Sequence, residues 1–498
     1  MKITLGFSLM MLIIMAQSVF GQEDYNKWAK EQEREYKEFV SRQDREFIGF
    51  LKENWINVPV NQGTGPFRLP ESPKPVVFSP RETHEQPVES PISGPPEKST
   101  SVYPSPSPSQ QTMNQPAAKI PPAANAQTTI HPGTPTLRID YFGKVVTVPE
   151  ERSLSIPFMG AISNDAVADY WTKLCRTDYK VLLDRLGVLR NELDLNDWGY
   201  CKLIFETARR IDDNDRNSSY LLTWFMLVKS GYLSRIGYQG DDVYLLISTE
   251  NLLYNVPFFH MGNGGARYYV LLLRSPEKEP SGAILTYKNN YPEASRRLNF
   301  GFTSLPQLGN AIDKRVIKVD YGDKHYSFHI DYNKDLIEFY RYYPTTDLSI
   351  YFASQMSRPA RETLLTELRS AVQGMSQTEA VSFLLHFVQY ATGYKTDSEQ
   401  FGYQKFFFPE ENLYYGYTDC ADRAIFFSYL VKDLLGLRVI GLEYTDHLST
   451  AVKFTTDVSG DYVTYGNEKY IICDPTYIGA PIGEAMPKYL HMSAKVVE

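Results

Sequence analysis

The chain reads TDCADRAIFFSYLVKDLLGL over residues 418–437, where an Asp cap is followed by apolar residues at helical spacing. Residues 438–454, RVIGLEYTDHLSTAVKF, then alternate in two short runs that are typical of strands. Residues 468–483, EKYIICDPTYIGAPIG, add a further strand that ends before a proline, which lacks a backbone donor. This order of one helix and three strands predicts an α+β fold for the end of the chain.

Each of these stretches carries one residue with potential chemistry. Cys420 lies at the helix start, His447 opens a strand and Asp474 ends one, and successive members are 27 residues apart (447 − 420 and 474 − 447). They are the parts of a thiol nucleophile, its base and an orienting carboxylate. Behind the Asp419 cap, the helix dipole and unpaired backbone N–H groups predict a lowered pKa for the thiol. The same N–H groups are candidates for binding an oxyanion.

The motifs around these residues, DCADRA (419–424), DHLSTAV (446–452) and CDPTYIG (473–479), resemble the transglutaminase-like superfamily, of the secreted bacterial multidomain type. The resemblance covers roughly residues 375–490. It implies a papain-like domain in which a cysteine on a helix is followed by His and Asp on successive strands.

The resemblance also implies the roles of individual residues. It implies that Cys420 is the nucleophile, that His447 is the general base and acid, and that Asp474 is the orienting carboxylate. The upstream oxyanion donor has two candidates, Gln389 and Gln400, and the substrate groove has two more, Tyr415 and Tyr417. Such a triad needs no cofactor and no metal. A zinc site of Cys, His and Asp is the chemical rival, but the paired ligand spacing of zinc sites is absent.

An earlier block of the chain repeats the order of helix and strands. A helical stretch at 218–232 precedes RIGYQ, DVYLLIS and RYYVLLL, and Arg235-Ile236-Gly237 aligns with the start of the later strand pair to within one residue. At the triad positions the block carries Ser218, Tyr244 and Leu271 or their neighbours. We therefore expect a degenerate second copy over 138–278, with coincidence among helix and strand patterns as the alternative.

The sequence predicts six segments. They are a signal peptide at 1–21, an amphipathic helix at 22–58, a Pro-rich linker at 59–137, the degenerate copy at 138–278, an antiparallel β module at 279–356 and the catalytic domain at 357–498. The linker holds 18 of the 31 prolines, so it cannot bury enough apolar surface to fold. Strands are expected over IEFYRYYP and LSIYFAS in the β module. Helix 25–55 is predicted to dock on the body or to self-associate.

Composition and the N-terminus bound the class of protein. With 498 residues, 43% of them hydrophobic, two or three folded domains are expected, and the net charge of −8 argues against nucleic-acid binding. Lys2 and the apolar run behind it predict export to the periplasm or medium, with an uncleaved anchor as the alternative. No later run is long enough to span a bilayer. After export, Cys175 and Cys201 form either a disulfide or two buried free thiols.

Together these features predict an exported thiol-dependent acyl-transfer enzyme that acts on amide bonds of proteins or peptides. Water as acceptor makes it a cysteine peptidase or amidase, and an amine acceptor makes it a transglutaminase, because both share the first half-reaction. The alternative is a non-catalytic scaffold or binding protein of the cell envelope, in which the triad is a relic.

Overall fold

The computed structural model describes residues 22–61, 135–158, 160–261, 266–274 and 277–498. The expected signal peptide and most of the expected Pro-rich linker lie outside these residues. Within them the protein is a mixed α+β structure built around two antiparallel sheets. None of the helices in the described ranges has both the length and the apolar character needed to cross a membrane.

The first half of the described chain consists of helices that pack against a sheet. Its elements are α1 (Gln22–Glu53), β1 (Trp55–Pro59), β2 (Thr136–Tyr141), β3 (Lys144–Pro149), α2 (Asn164–Cys175), α3 (Tyr179–Glu192), α4 (Asp197–Ile211), α5 (Arg216–Lys229), β4 (Ser234–Gln239), β5 (Asp242–Ser248), β6 (Phe258–His260), β7 (Arg267–Leu271) and β8 (Ala283–Tyr287). Six strands form one antiparallel sheet in the order β1-β8-β4-β5-β7-β6, and β2 pairs with β3 in a separate hairpin. The sheet thus takes an edge strand, β1, from residues that precede the Pro-rich segment.

Helix α1 docks on this half through its last turns. Phe47 and Leu51 are buried, and the ring of Phe47 meets the ring of Trp171 edge-on at 4.9 Å. Asp44 forms an ion pair of 2.5 Å with Lys229 of α5, and both side chains are largely buried. Since β1 follows directly and pairs with β8, the end of α1 is part of the body of the protein.

The middle of the chain is a hairpin followed by helices. Its elements are β9 (Ile312–Tyr321), β10 (Lys324–Asn333), α6 (Lys334–Tyr342) and α7 (Leu348–Phe352). The strands expected over IEFYRYYP and LSIYFAS are therefore helices, and β8 belongs to the first sheet. Asn333 caps α6, because its side chain accepts from the backbone N–H groups of Asp335 and Leu336. The buried residues of α6 recur at helical spacing, and they are Leu336, Ile337, Phe339 and Tyr340. Tertiary packing decides between this pattern and strand alternation.

The last part of the chain contains the second sheet. Its elements are α8 (Arg358–Val372), α9 (Gln377–Ala391), β11 (Gly393–Tyr394), α10 (Asp397–Gln400), β12 (Tyr417–Thr418), α11 (Cys420–Leu435), β13 (Arg438–Glu443), β14 (Leu448–Lys453), β15 (Tyr462–Tyr465), β16 (Glu468–Ile472) and β17 (Lys495–Val497). Five strands form an antiparallel sheet in the order β15-β16-β14-β13-β17, and β11 pairs with β12 in parallel.

The two sheets share one strand order. Five strands follow α5 along the chain and lie side by side in the order β6-β7-β5-β4-β8. Five strands follow α11 and lie in the order β15-β16-β14-β13-β17. Counted from the preceding helix, both orders are third, fourth, second, first, fifth. In each sheet the fourth residue of the first strand is a glycine that pairs with the fifth strand, Gly237 with Thr286 and Gly441 with Val497. The first sheet differs by one added strand, β1, beyond the fifth.

Helix α11 lies between two hydrophobic cores. Its residues Ala421, Ala424 and Ile425 belong to the core that covers the first half together with α6 and α7, whereas Phe427 and Leu430 belong to the core of β9, β10 and the last part. A helix that is buried on both sides has little freedom to shift, so its first residue is held in a fixed position.

Candidate active site

Cys420 is the first residue of α11, and a reciprocal cap fixes it there. The Asp419 carboxylate accepts from the backbone N–H groups of Ala421 (2.9 Å) and Asp422 (3.2 Å), and Asp422 accepts from the N–H of Asp419 (3.0 Å). This is the capping-box arrangement, which satisfies the orphan donors of a helix start. The backbone N–H of Cys420 itself has no hydrogen-bond partner among the described residues.

His447 and Asp474 meet at the ends of neighbouring strands. His447 precedes β14 and Asp474 follows β16, and these strands pair through Ala451 and Ile472. Nε2 of His447 lies 2.8 Å from Oδ2 of Asp474, and both side chains are buried. The antiparallel pairing is the reason, because the start of one strand lies beside the end of the next.

The second carboxylate oxygen of Asp474 is held by the backbone. Oδ1 accepts from the N–H groups of Thr476 (2.9 Å) and Tyr477 (3.2 Å), in the turn that begins at Pro475. One oxygen therefore anchors the carboxylate while the other faces the imidazole. These contacts fix the orientation of His447, so that its Nε2 faces the carboxylate and its Nδ1 faces away from it.

The thiol of Cys420 lies beside the same strand end. The backbone N–H of Leu448, the residue after His447, hydrogen-bonds the thiol, and the charge of Asp474 also acts on it. Cys420 is partly exposed, whereas Cys201 and Cys473 are buried. The structure thus brings the nucleophile, base and carboxylate candidates to one place. All four cysteines are free thiols, so Cys175 and Cys201 are not joined.

The expectation of a lowered thiol pKa was wrong. Burial first, and then the charge of Asp419, raise the pKa of the Cys420 thiol above its usual range, and the Leu448 hydrogen bond opposes this only in part. The main reason is desolvation of the thiol. The cap adds to it, because Asp419 places a charge beside the thiol and occupies the N–H groups of Ala421 and Asp422 that would otherwise stabilise a thiolate. A protonated thiol needs a base before it can attack a carbonyl.

Gln389 has a structural part in the site. Its Nε2 donates to the backbone carbonyl oxygens of Asp474 (3.3 Å), Tyr477 (2.9 Å) and Ala480 (3.2 Å), and its Oε1 accepts from the N–H of Gly479 (3.3 Å). The amide is buried and both of its ends are engaged. It therefore holds the turn after Asp474 and has no free donor for the oxyanion role expected of it.

The other candidates from the sequence occupy different settings. Gln400 is the last residue of the four-residue helix α10 and is partly exposed. Tyr415, expected in a groove, is instead a core residue that stacks on Phe407 with ring centroids 4.5 Å apart. Tyr417 is partly exposed, and the ammonium of Lys395 lies 4.0 Å from its ring centroid. Of the two groove candidates, only Tyr417 presents surface.

Tyr394 is a site residue that sequence reasoning missed. It is the register partner of Thr418, two residues before Cys420, and it is partly exposed. Its hydroxyl donates no hydrogen bond within the described residues, and the buried guanidinium of Arg423 lies 5.4 Å from its ring centroid. Burial first, and then the charge of Cys420, raise the pKa of this hydroxyl. A two-residue parallel pairing leaves no periodic signal in a sequence, so no pattern marked it.

A pair of carboxyl groups supports the helix start. The Asp397 carboxyl group hydrogen-bonds that of Asp419, and it also accepts from the backbone N–H of Lys405 at 2.9 Å. Burial is the main cause that raises the pKa of both groups. Two buried carboxyl groups in contact share a proton, because both cannot carry charge without water.

Comparisons with known proteins found no matching family model, no matching curated protein and no matching solved structure. In the part of the chain that the structure describes, no group of three or more His, Cys, Asp or Glu residues has the arrangement of a metal site.

Proposed function

We propose that the protein is an exported acyl-transfer enzyme of the transglutaminase-like type, which attacks amide bonds of proteins or peptides with the thiol of Cys420. The observation that carries the proposal is the 2.8 Å contact between His447 Nε2 and Asp474 Oδ2, made beside that thiol. The order along the chain and the elements that carry the three residues agree with this class of enzyme.

The proposed reaction begins with a proton transfer. Because Nε2 of His447 faces Asp474, its Nδ1 takes the thiol proton while Sγ of Cys420 forms a bond to the carbonyl carbon. The carbonyl electron pair moves to oxygen. When this intermediate collapses, the C–N bond breaks, and the leaving amine receives the proton from His447. The product is a thioester on Cys420.

The second half-reaction decides the outcome. Attack by water on the thioester releases an acid and restores the thiol, and attack by an amine makes a new amide. We favour hydrolysis, since transamidation requires that water be kept from the thioester.

Two donors near the thiol suit the oxyanion. The backbone N–H of Cys420 has no partner among the described residues, and the hydroxyl of Tyr394 donates no hydrogen bond there. Burial raises the pKa of that phenol and the charge of Arg423 opposes this only in part, so the hydroxyl keeps its proton. A protonated hydroxyl beside the thiol can donate a hydrogen bond to a developing oxyanion.

The proposal includes a degenerate copy in the first half. The shared strand order and the paired glycines support it. Helix α5 begins with the cap Asp215, so Arg216 stands where α11 has Cys420. In the strand register, Leu271 matches Ile472, and Leu273 thereby matches Asp474. No catalytic trio occupies these positions.

An active ester tests the proposed chemistry without a known substrate. p-Nitrophenyl acetate is expected to acetylate Cys420, with a burst of nitrophenolate and an adduct located by mass spectrometry. Cys420→Ala and His447→Ala are expected to abolish the burst, whereas Cys473→Ala, which removes a buried thiol, keeps it. Acylation that persists in His447→Ala at the wild-type rate contradicts the proposed base.

A non-catalytic scaffold is the second candidate, and the raised pKa of the Cys420 thiol favours it. Under that alternative Cys420→Ser leaves every partner interaction intact and p-nitrophenyl acetate gives no burst with the wild-type protein. A burst confined to Cys420 counts against it.

A further inference from the structure

The imidazole of His447 is covered by an aromatic ring from the C-terminal segment. The rings of His447 and Tyr489 are stacked, with centroids 4.8 Å apart and an angle of 18° between their planes. The ring of Tyr444 lies beside this pair, with its centroid 4.8 Å from that of Tyr489 and 6.3 Å from that of His447. Tyr489 is 7% exposed, so it shields this face of the imidazole from water.

Hydrogen bonds to Asp446 hold Tyr489 and its neighbour Lys488 in place over the imidazole. Asp446, the neighbour of His447, accepts from the Tyr489 hydroxyl at 3.1 Å through one oxygen. Its other oxygen accepts from Nζ of Lys488, the neighbour of Tyr489, at 2.5 Å. Two consecutive residues of one loop are therefore joined to two consecutive residues of another, by a ring stack and by hydrogen bonds.

The stack acts on the protonated form of the base. The face of an aromatic ring carries negative potential and attracts a cation that lies over it. The other charged or titratable groups around His447 are the Asp474 carboxylate on its Nε2 edge, the Cys420 thiol, Asp446, Lys488 and Tyr444. Because the pKa of the Cys420 thiol is raised, proton transfer from the thiol to His447 is unfavourable. Stabilisation of the imidazolium makes this transfer less unfavourable.

We propose that Tyr489, held by Asp446 and Lys488, is a positioning residue that fixes the plane of the His447 imidazole and stabilises its protonated form. This inference rests on the proposed function of the triad. Tyr489 touches neither the thiol nor the scissile bond in the proposed reaction, so its effect passes through His447.

An NMR titration of the full-length protein with labelled histidine tests the inference. His447 ring protons are expected upfield of ordinary histidine signals, because they lie in the shielding cone of Tyr489. Tyr489→Leu is expected to remove this displacement and to move the midpoint of the His447 titration to lower pH by about 0.5 to 1.5 pH units. Tyr489→Phe keeps the ring and is expected to keep most of both effects.

The control variant is Tyr465→Leu, which removes a partly exposed ring from β15 of the same sheet and is expected to leave His447 unchanged. Unshifted ring protons in the wild-type protein overturn the inference even if Tyr489→Leu does not fold. A folded Tyr489→Leu with an unchanged midpoint also overturns it.

The kinetic counterpart uses p-nitrophenyl acetate. In Tyr489→Leu the acidic limb of the acylation profile is expected to move to lower pH while the maximal rate falls, since the imidazolium is less stable. A change in rate alone, with the limb in place, contradicts the inference. If the wild-type protein shows no acylation, the proposed function fails, and the NMR titration still decides the role of Tyr489.

Discussion

Nε2 of His447 lies 2.8 Å from Oδ2 of Asp474, while Oδ1 of the same carboxylate is bound to two backbone N–H groups. The carboxylate is thus fixed before it meets the imidazole. Asp474→Asn is expected to slow the acylation of Cys420 by roughly 10³-fold or more, because an amide favours the wrong tautomer of the base. Burst kinetics measure this, and an unchanged melting temperature shows that the fold is kept. A loss below tenfold would contradict a triad.

Gln389→Leu is expected to act on stability rather than on chemistry. The substitution leaves the buried carbonyls of Asp474 and Ala480 without their donor, which costs about 1–3 kcal/mol of unfolding free energy. Chemical denaturation measures the loss, and acylation is expected to slow by less than tenfold. A selective fall in acylation, with normal stability, would restore Gln389 as an oxyanion donor.

Tyr394→Phe is expected to slow acylation while stability is kept, the opposite of Gln389→Leu. The ring and its contact with Arg423 remain, so the melting temperature stays within about a degree of wild type. Acylation is expected to slow by about 10- to 100-fold, since one oxyanion donor is lost. Tyr417→Phe is the matched control, because it removes a hydroxyl from β12 beside the same site. Equal effects of the two variants would assign no special role to Tyr394.

Asp212 is expected to make stability depend on pH. Burial, and then the charges of Asp215 and Asp213, raise its pKa to about 8, and neither carboxylate oxygen has a hydrogen-bond partner among the residues that the structure describes. The folded state therefore binds a proton that the unfolded state releases at about pH 4. This contribution to stability is complete below that pH and is lost as the pH rises to about 8.

Asp212→Asn removes this dependence. Its unfolding free energy relative to wild type is expected to increase between about pH 4 and pH 8 and to stay level above that range. Urea titrations at several pH values measure it, with Asp323→Asn, at an exposed carboxylate in the turn between β9 and β10, as the control. A difference that does not change with pH would show that Asp212 is ionised in the folded protein.

A side chain at Gly441 is expected to destabilise the protein. A Cβ there would lie 2.7 Å from Cζ of the buried Phe352, so Gly441→Ala is expected to cost about 1–3 kcal/mol. Phe352→Leu is expected to recover part of this loss in the double variant. Gly49→Ala is the control, since a Cβ at that position of α1 meets no described atom within 4 Å and alanine favours the helix. Equal effects at Gly441 and Gly49 would contradict the packing.

Much of the candidate site could be predicted from local sequence patterns. Asp419 and Asp422 are three residues apart and form the cap that marks a helix start. The predicted helix begins there, at Cys420. His447 and Asp474 stand at strand boundaries, and Asp474 is followed by Pro475. The strands predicted over IEFYRYYP and LSIYFAS are the helices α6 and α7, because short apolar runs are compatible with either period and only packing against the core separates the two.

The sequence by itself determined the α+β class, the order of helix and strands around the site, and the three residues that could form a triad. Short-range rules of capping and alternation set these features, and they act within a few residues. Only the tertiary structure decided that Gln389 holds a turn, that Tyr489 covers His447 and that the thiol pKa is raised. Those properties depend on which atoms surround a group after folding, since desolvation and contact join residues far apart in the chain.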